Sequence, residues 1–213
     1  MAKEETRQRI IAAAFAYLDE AGMPGFSMRT LAERLDMGTM SVYRYFATKD
    51  DLIEAVRLRL REGYDNAPVP GERWDDTIRR TTASIRNNAL AHPNIWTAQR
   101  GTQVSAKPHT RRIYRLHKDQ GIPLEVYKPL WCLLEAYLSG FIRHEIMNAN
   151  VEFEEVDPDD PDYPWLMIAE NAYNDESFAA GIELIIDGTR RQAAPDPCEW
   201  YTPLDRTSWT WTE

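Results

Sequence analysis

Cysteine is nearly absent from this chain: Cys132 and Cys198 are the only two in 213 residues. Two thiols build neither a disulfide framework nor a closed metal site, and a reducing, cytoplasmic setting is the expectation. Histidine is scarce as well, and His92, His109, His117 and His144 lack metal-ligand spacing. No phosphate-cradling glycine loop and no nucleophile elbow occurs. An enzyme is therefore not expected, nor is a cofactor or a metal. Long apolar runs are missing too. The run from Ile10 to Leu18 is too short to cross a bilayer and is followed by Asp19 and Glu20, so neither a membrane partner nor a secretion signal is expected. Nor does period-two alternation appear before the C-terminal tail, which argues against a sheet.

What remains is an ordinary globular composition, 43% hydrophobic and 28% charged, with a formal charge of −9 and pI ≈ 5.0. Such acidity by itself disfavours a polyanionic partner. The charge is unevenly placed, however. Residues 1–60 hold nine basic and nine acidic side chains, and residues 61–213 hold sixteen and twenty-five. Within 27–49, Arg29, Arg34, Arg44 and Lys49 face only Glu33 and Asp36. Charges beyond about 8–10 Å are largely screened at physiological salt, so a remote acidic region does not bar this one from DNA.

The periodicity predicts an all-α chain. Ile10, Ile11, Ala14, Phe15 and Leu18 share one side of a helix over 4–21 that Gly22 and Pro24-Gly25 end. Ser27 is placed to cap a short helix carrying Leu31, Ala32 and Leu35. After the turn Asp36-Met37-Gly38, Thr39 is expected to cap a second short helix through Tyr45. Thr48 and Asp51 form a capping-box pattern opening a fourth helix, with Leu52, Ile53, Val56 and Leu60 as its apolar face. Asn66 to Gly71 is rich in chain breakers and reads as a linker. Further helices are predicted near 73–91, 93–101, 107–119, 123–149, 162–173 and 174–191. An acidic, proline-punctuated loop is expected over 150–164. The domains are thus an N-terminal one over 1–65, a second over 72–191, and a tail over 192–213 that carries Trp200, Trp209 and Trp211.

Two short helices joined by a tight turn have the proportions of a helix-turn-helix, whose second helix enters the major groove. On a helical wheel Val42 and Phe46 fall together toward the core, while Met40, Ser41, Tyr43 and Arg44 point away. That outward set suits DNA. Arg44 matches a guanine edge, Ser41 a base or phosphate, Met40 a thymine methyl, and Tyr43 and Lys49 phosphates that fix register. The plain competing reading is a solvated helix face.

The run Phe26-Ser27-Met28-Arg29-Thr30-Leu31-Ala32-Glu33-Arg34-Leu35-Asp36-Met37-Gly38-Thr39-Met40-Ser41-Val42-Tyr43-Arg44-Tyr45-Phe46-Ala47-Thr48-Lys49 resembles the DNA-binding signature of the tetracycline-repressor (TetR) family. The resemblance implies DNA contacts at Arg29, Thr39, Met40, Ser41, Tyr43, Arg44, Tyr45 and Lys49. It also implies a repressor acting on double-stranded, palindromic operator DNA as a homodimer, and release by a small-molecule effector bound among the C-terminal helices. A weaker likeness continues through Trp74, Ala89-Leu90-Ala91-His92, Arg100-Gly101-Thr102 and Phe178 to Gly188. Where the family's namesake holds antibiotic and magnesium through histidine, asparagine and histidine, this chain has Asp65, Thr81 and Gln99, so tetracycline–magnesium is not the implied effector.

Dimerisation is expected through Cys132, Ala136 and Gly140 on one helix and Phe178, Gly181, Ile182 and Ile185 on another, small residues permitting close approach. The alternative is that both faces pack within one subunit. Candidate effector-pocket residues are Thr81, Ile85, Trp96, Gln99, Arg100, Trp131, Glu135 and Ser139, in a pocket expected to be mostly apolar with a few directing polar groups. Glu135, Ser139 and Arg143 form a polar stripe that suits either a water-facing salt bridge or a buried network. Effector binding is expected to shift the fourth helix and change the spacing of the two recognition helices. The rival function is a helical sensing or protein-interaction protein without DNA binding.

Overall fold

The computed structural model describes residues 2–98, 108–151, 156–168 and 172–192. Among them the regular elements are all helices: α1 (Ala2–Ala21), α2 (Met28–Arg34), α3 (Thr39–Tyr43), α4 (Lys49–Glu62), α5 (Trp74–Ala91), α6 (Pro93–Thr97), α7 (Pro108–Asp119), α8 (Leu124–Asn148), α9 (Tyr163–Leu166) and α10 (Asp175–Gln192). None is long and apolar enough to cross a membrane. The tail from residue 193 onward, and with it Cys198 and the three terminal tryptophans, lies outside the described residues, as do Gln99 and Arg100.

The described chain divides into two compact units. Residues 2–64 and 87–98 make the first, and 65–86 with 108–151, 156–168 and 172–192 make the second. The sequence placed everything past the linker in the second domain. Instead the last residues of α5 and all of α6 group with the N-terminal helices, because Pro93 restarts the chain as a short helix whose Ile95 is buried among them.

In the first unit α1 packs on α2, α4 and α6, and α2 packs on α3. Its core joins Ile10, Ala14 and Leu18 of α1 to Leu31, Val42, Phe46, Leu52, Val56 and Leu60. The helix α1 ends where Gly22 turns to φ +67, a left-handed value at which its amide still bonds the Leu18 carbonyl at 2.9 Å; a side chain there would be strained.

In the second unit α8 packs on α10. Trp74 and Ile78 of α5, Leu130, Leu134 and Phe141 of α8, and Phe178, Ile182 and Ile186 of α10 form its core. Ion pairs run along its edge. Arg79 grips Glu183 through two bonds of 2.5 and 2.7 Å, Arg190 bonds Asp75, and Arg86 holds Glu145 and Asp175. Burial pushes the Asp75 carboxyl up, but Arg73 and Arg190 outweigh it and hold the group below its ordinary range.

Three residues expected at a subunit interface are used inside this core. Phe178 and Ile182 are buried within the unit, and a Cβ at Gly181 would lie 2.1 Å from the Tyr137 hydroxyl. At these positions packing within one chain is what the structure shows. The surface left uncovered keeps Cys132 and Ala136 of the expected α8 stripe and adds Leu133 and Met147 on that helix and Ala180, Leu184 and Gly188 on α10, all exposed.

Candidate nucleic-acid interface

The turn between α2 and α3 is built by local hydrogen bonds. Ser27 Oγ accepts the Thr30 amide at 3.1 Å while Thr30 Oγ1 accepts the Ser27 amide at 3.0 Å, closing a capping box that starts α2. The chain leaves α2 through Asp36 at φ +52, a left-handed conformation that Asp tolerates better than most residues. The Met37 amide returns to the Ala32 carbonyl at 2.9 Å. Gly38 then takes the N-cap position in extended backbone. Thr39, expected to be the cap, is instead the first helical residue, and no side chain caps α3. The regular helix closes at Tyr43 with Arg44 as C-cap, although the amides of Tyr45 and Phe46 still bond the Val42 carbonyl.

Val42 is fully buried and Phe46 nearly so, which fixes the roll of α3 against the core. Met40 is 76% exposed and Tyr43 43% exposed, and Arg44 is exposed beside them. Thr39 and Ser41 are half-buried at the same edge. Tyr45 is half-buried too, but it packs on the core cluster, so much of its ring is committed inward.

The four basic side chains of this segment have different fates. Arg29 bonds Glu33 at 2.9 Å and Arg34 bonds Glu20 at 2.7 Å, both exposed pairs of the kind worth about 0–1 kcal/mol, which a phosphate displaces easily. The Lys49 ammonium donates to the Phe26 carbonyl at 2.6 Å and stands 5.2 Å from the Phe26 ring centre. It ties the start of α4 to the start of α2 and keeps further protons for a phosphate. Arg44 has no ion-pair partner among the described residues. A cation without an anchor, next to an exposed Met and Tyr on the outward side of a rigid short helix, is what direct base reading requires.

The predicted effector residues are less tightly assembled. Thr81 and Ile85 of α5 are half-buried, and the Thr81 hydroxyl turns back to the Thr77 carbonyl at 2.7 Å. Trp131 and Glu135 of α8 are half-buried, and both lie near Tyr114, through a ring contact and through charge respectively. Ser139 and Arg143 are exposed, so that end of the polar stripe faces solvent. Trp96 packs with the first unit's core and is removed from this group. Gln99 and Arg100 lie outside the described residues.

Sequence reasoning missed a buried polar group in the second unit. His117 and Gln120 lie on the buried side of α7 and the turn after it, and His117 Nδ1 is 3.0 Å from the Tyr127 hydroxyl. Burial drops the imidazole to about 4, against a small opposing pull from Glu72. It also pushes the Tyr127 phenol far up, so both groups are neutral near pH 7. The signal available was two polar residues on the apolar side of a helix.

Residues 10–56 match the family described as bacterial regulatory proteins, tetR family. Over 154 residues the chain is 25% identical to the HTH-type transcriptional repressor DrrR1 of Streptomyces coeruleorubidus, a match covering 69% of this chain and 56% of that protein. The match therefore spans little more than half the length of this curated relative. Among solved structures, a TetR variant from Acinetobacter baumannii in complex with minocycline superposes with TM-score 0.74 at 22% identity, covering 89% of this chain and 96% of that one. A TetR solved from Streptomyces coelicolor superposes with TM-score 0.69 at 26% identity, over 89% of this chain and 99% of its own. Residues 10–56 thus carry the helix-turn-helix segment of the tetR family of bacterial regulatory proteins, and the helical arrangement is shared with the Streptomyces coelicolor structure along nearly nine-tenths of the chain.

Proposed function

We propose that this protein is a DNA-binding transcriptional repressor of the cytoplasm that grips a palindromic operator as a homodimer and lets go when a small molecule occupies its second unit. The observation that carries the reading is the outward edge of α3. Met40, Tyr43 and Arg44 are exposed on a helix whose roll is locked by buried Val42 and Phe46. Arg29, Thr39, Ser41, Tyr45 and Lys49 surround that edge as positioning contacts, with Arg44 as the base reader.

A helix this short reads few bases, and a two-fold pair doubles the site. The exposed stripes Leu133, Ala136 and Met147 on α8 and Ala180, Leu184 and Gly188 on α10 support the dimer, since apolar side chains on two neighbouring helices gain by meeting a second copy. An effector is supported by the ligand-bound relatives, one solved with minocycline and another, ActR of Streptomyces coelicolor, with actinorhodin. Thr81, Ile85, Trp131 and Glu135 are the residues retained for that pocket. The tight α1–α6 packing makes α6, beside α4, the element through which an effector would act on the reading helices.

Selection of bound sequences from a random DNA pool tests this reading. A palindrome should emerge, bound by the dimer with an affinity that falls steeply with salt as phosphate contacts release counterions. Leu184→Glu should shift the protein toward monomer in sedimentation and weaken operator binding with it. A pool yielding no preferred sequence, or salt-independent binding, would favour the rival reading of a sensing protein without DNA.

A further inference from the structure

The C-terminal end of α7 buries two polar atoms that have no partner. His117 is 4% exposed and Gln120 is fully buried, yet the imidazole Nε2 and the amide Oε1 make no hydrogen bond. Their chemical identity follows from the bonds that are made. Gln120 Nε2 donates to the Glu72 carbonyl at 3.2 Å and to Thr77 Oγ1 at 2.6 Å, and the Thr77 hydroxyl gives its own proton to Glu72 Oε2 at 2.7 Å. Only an amide NH2 serves both partners, so the orphan on Gln120 is an acceptor oxygen.

The imidazole is assigned by the same accounting. With the Tyr127 phenol donating to Nδ1 across 3.0 Å, the one proton of the neutral ring sits on Nε2. The reverse arrangement would strand both the phenol proton and the Nε2 lone pair. The orphan on His117 is therefore a donor. An unmade donor and an unmade acceptor, three residues apart on one side of a helical turn, form a costly pair to leave empty.

A hydroxyl, like a bound water, suits both. A hydroxyl accepts from Nε2–H and donates to Oε1. A carboxylate or phosphate would bond the histidine but set lone pairs against Gln120, and an ammonium would do the opposite. An ether or ketone oxygen serves the histidine alone. Beside the pair stands a set of rings: Tyr127 lies 5.3 Å from His117, Tyr114 lies 5.8 Å from Tyr127, and Trp131 lies 4.9 Å from Tyr114, each in edge-to-face contact. Tyr114 and Trp131 are half-buried, which brings the ring edge to the surface.

We propose that His117 and Gln120 are the polar end of the effector site and recognise a neutral aromatic molecule through its hydroxyl, with Tyr114, Tyr127 and Trp131 against its ring. The proposal rests on the effector reading above and names the ligand class that reading leaves open.

Calorimetric titration of the full-length protein with 2-naphthol, 2-methoxynaphthalene and 2-naphthoate tests it. The naphthol should saturate at one per chain and bind at least about tenfold more tightly than either analogue, since a site built around a hydroxyl penalises its loss. It should also move the His117 Nε2 resonance in nitrogen-15 spectra. His117→Phe keeps a ring in place and should abolish the preference. Equal binding of the three compounds would overturn the proposal. So would an absence of binding with the Nε2 proton exchanging into solvent, the mark of a buried water only. If His117→Phe fails to fold, the three-compound comparison on the natural protein decides alone. Operator selection on the same preparation separates the two readings: DNA binding without hydroxyl preference sinks this proposal only, and hydroxyl-selective binding by a protein that selects no DNA sinks the repressor reading only.

Discussion

The imidazole of His92 lies 3.0 Å from each carboxylate oxygen of Asp19, joining the residue that caps α6 to the last turn of α1. Asn94 adds a bond of 2.8 Å to the Asp19 carbonyl, and Phe15 meets the His92 ring edge-on at 5.0 Å. A single acidic residue thus fixes where α6 begins relative to the first helix of the N-terminal unit.

Asp19→Asn should loosen that anchor without disturbing the reading edge of α3. The pair is half-exposed, so a loss of about 1 kcal/mol is expected, which in a protein of this size corresponds to a thermal midpoint lower by ~2–4 °C. Operator affinity should change little. An unaltered midpoint in a calorimetric scan would show that α6 is held by its apolar contacts alone.

Arg44 and Lys49 should separate in their effects on DNA. Arg44→Ala removes a cation that no acid holds, and should cost about 1–3 kcal/mol on the preferred operator while flattening discrimination at one base position of each half-site. Lys49→Met should weaken all sequences alike and reduce the salt slope. It should also lower stability, because the Phe26 carbonyl loses its partner. Anisotropy titrations against single-base operator variants distinguish the two. Intact discrimination by Arg44→Ala would remove that residue from direct readout.

The first unit was legible because its rules are local. Capping boxes at Ser27 and Thr48 join residues three apart, and Val42 and Phe46 are one helical turn from each other. The misassignment of Thr39 as a cap came from the preceding Gly38, which supplies the extended backbone without a side chain. Farther along, the apolar stripe of α10 was readable, but not what covers it: Phe178, Gly181 and Ile182 meet α8 of the same chain, a contact between residues some forty positions apart. Gln120 was opaque for the same reason, its amide being satisfied by Glu72 and Thr77 from α5 and the segment before it.

Gly181 gives that misreading a direct test. With a Cβ 2.1 Å from the Tyr137 oxygen and 2.4 Å from its ring carbon, Gly181→Ala must push the ring off its bonds to the Ser177 and Phe178 carbonyls. A cost of about 1–3 kcal/mol is expected. At Gly188 a Cβ meets nothing within 4 Å, so Gly188→Ala should leave the isolated chain as stable or more so, alanine being the better helix former by about 1 kcal/mol. Denaturant midpoints of the two variants, measured at a concentration where the protein is monomeric, should therefore move in opposite directions. A stabilised Gly181→Ala would return that face to the subunit interface.

The buried imidazole sets a pH dependence with a definite sign. Burial lowers His117 from 6.5 to about 4, so between these values the unfolded chain binds a proton that the folded one refuses. Stability is therefore full above pH 6.5 and declines as pH falls toward 4, by an amount on the order of 3 kcal/mol. The acidic partners act in a lower window. Glu72 is pushed up by burial but held down on balance by Arg80 and Thr77, and its contribution is lost only as pH drops below the ordinary carboxylate range. His117→Phe should accordingly flatten the stability profile between pH 6.5 and 4 and leave the fall below it. Urea unfolding across this range measures the difference, and parallel profiles for the two proteins would mean that His117 is protonated in the folded state.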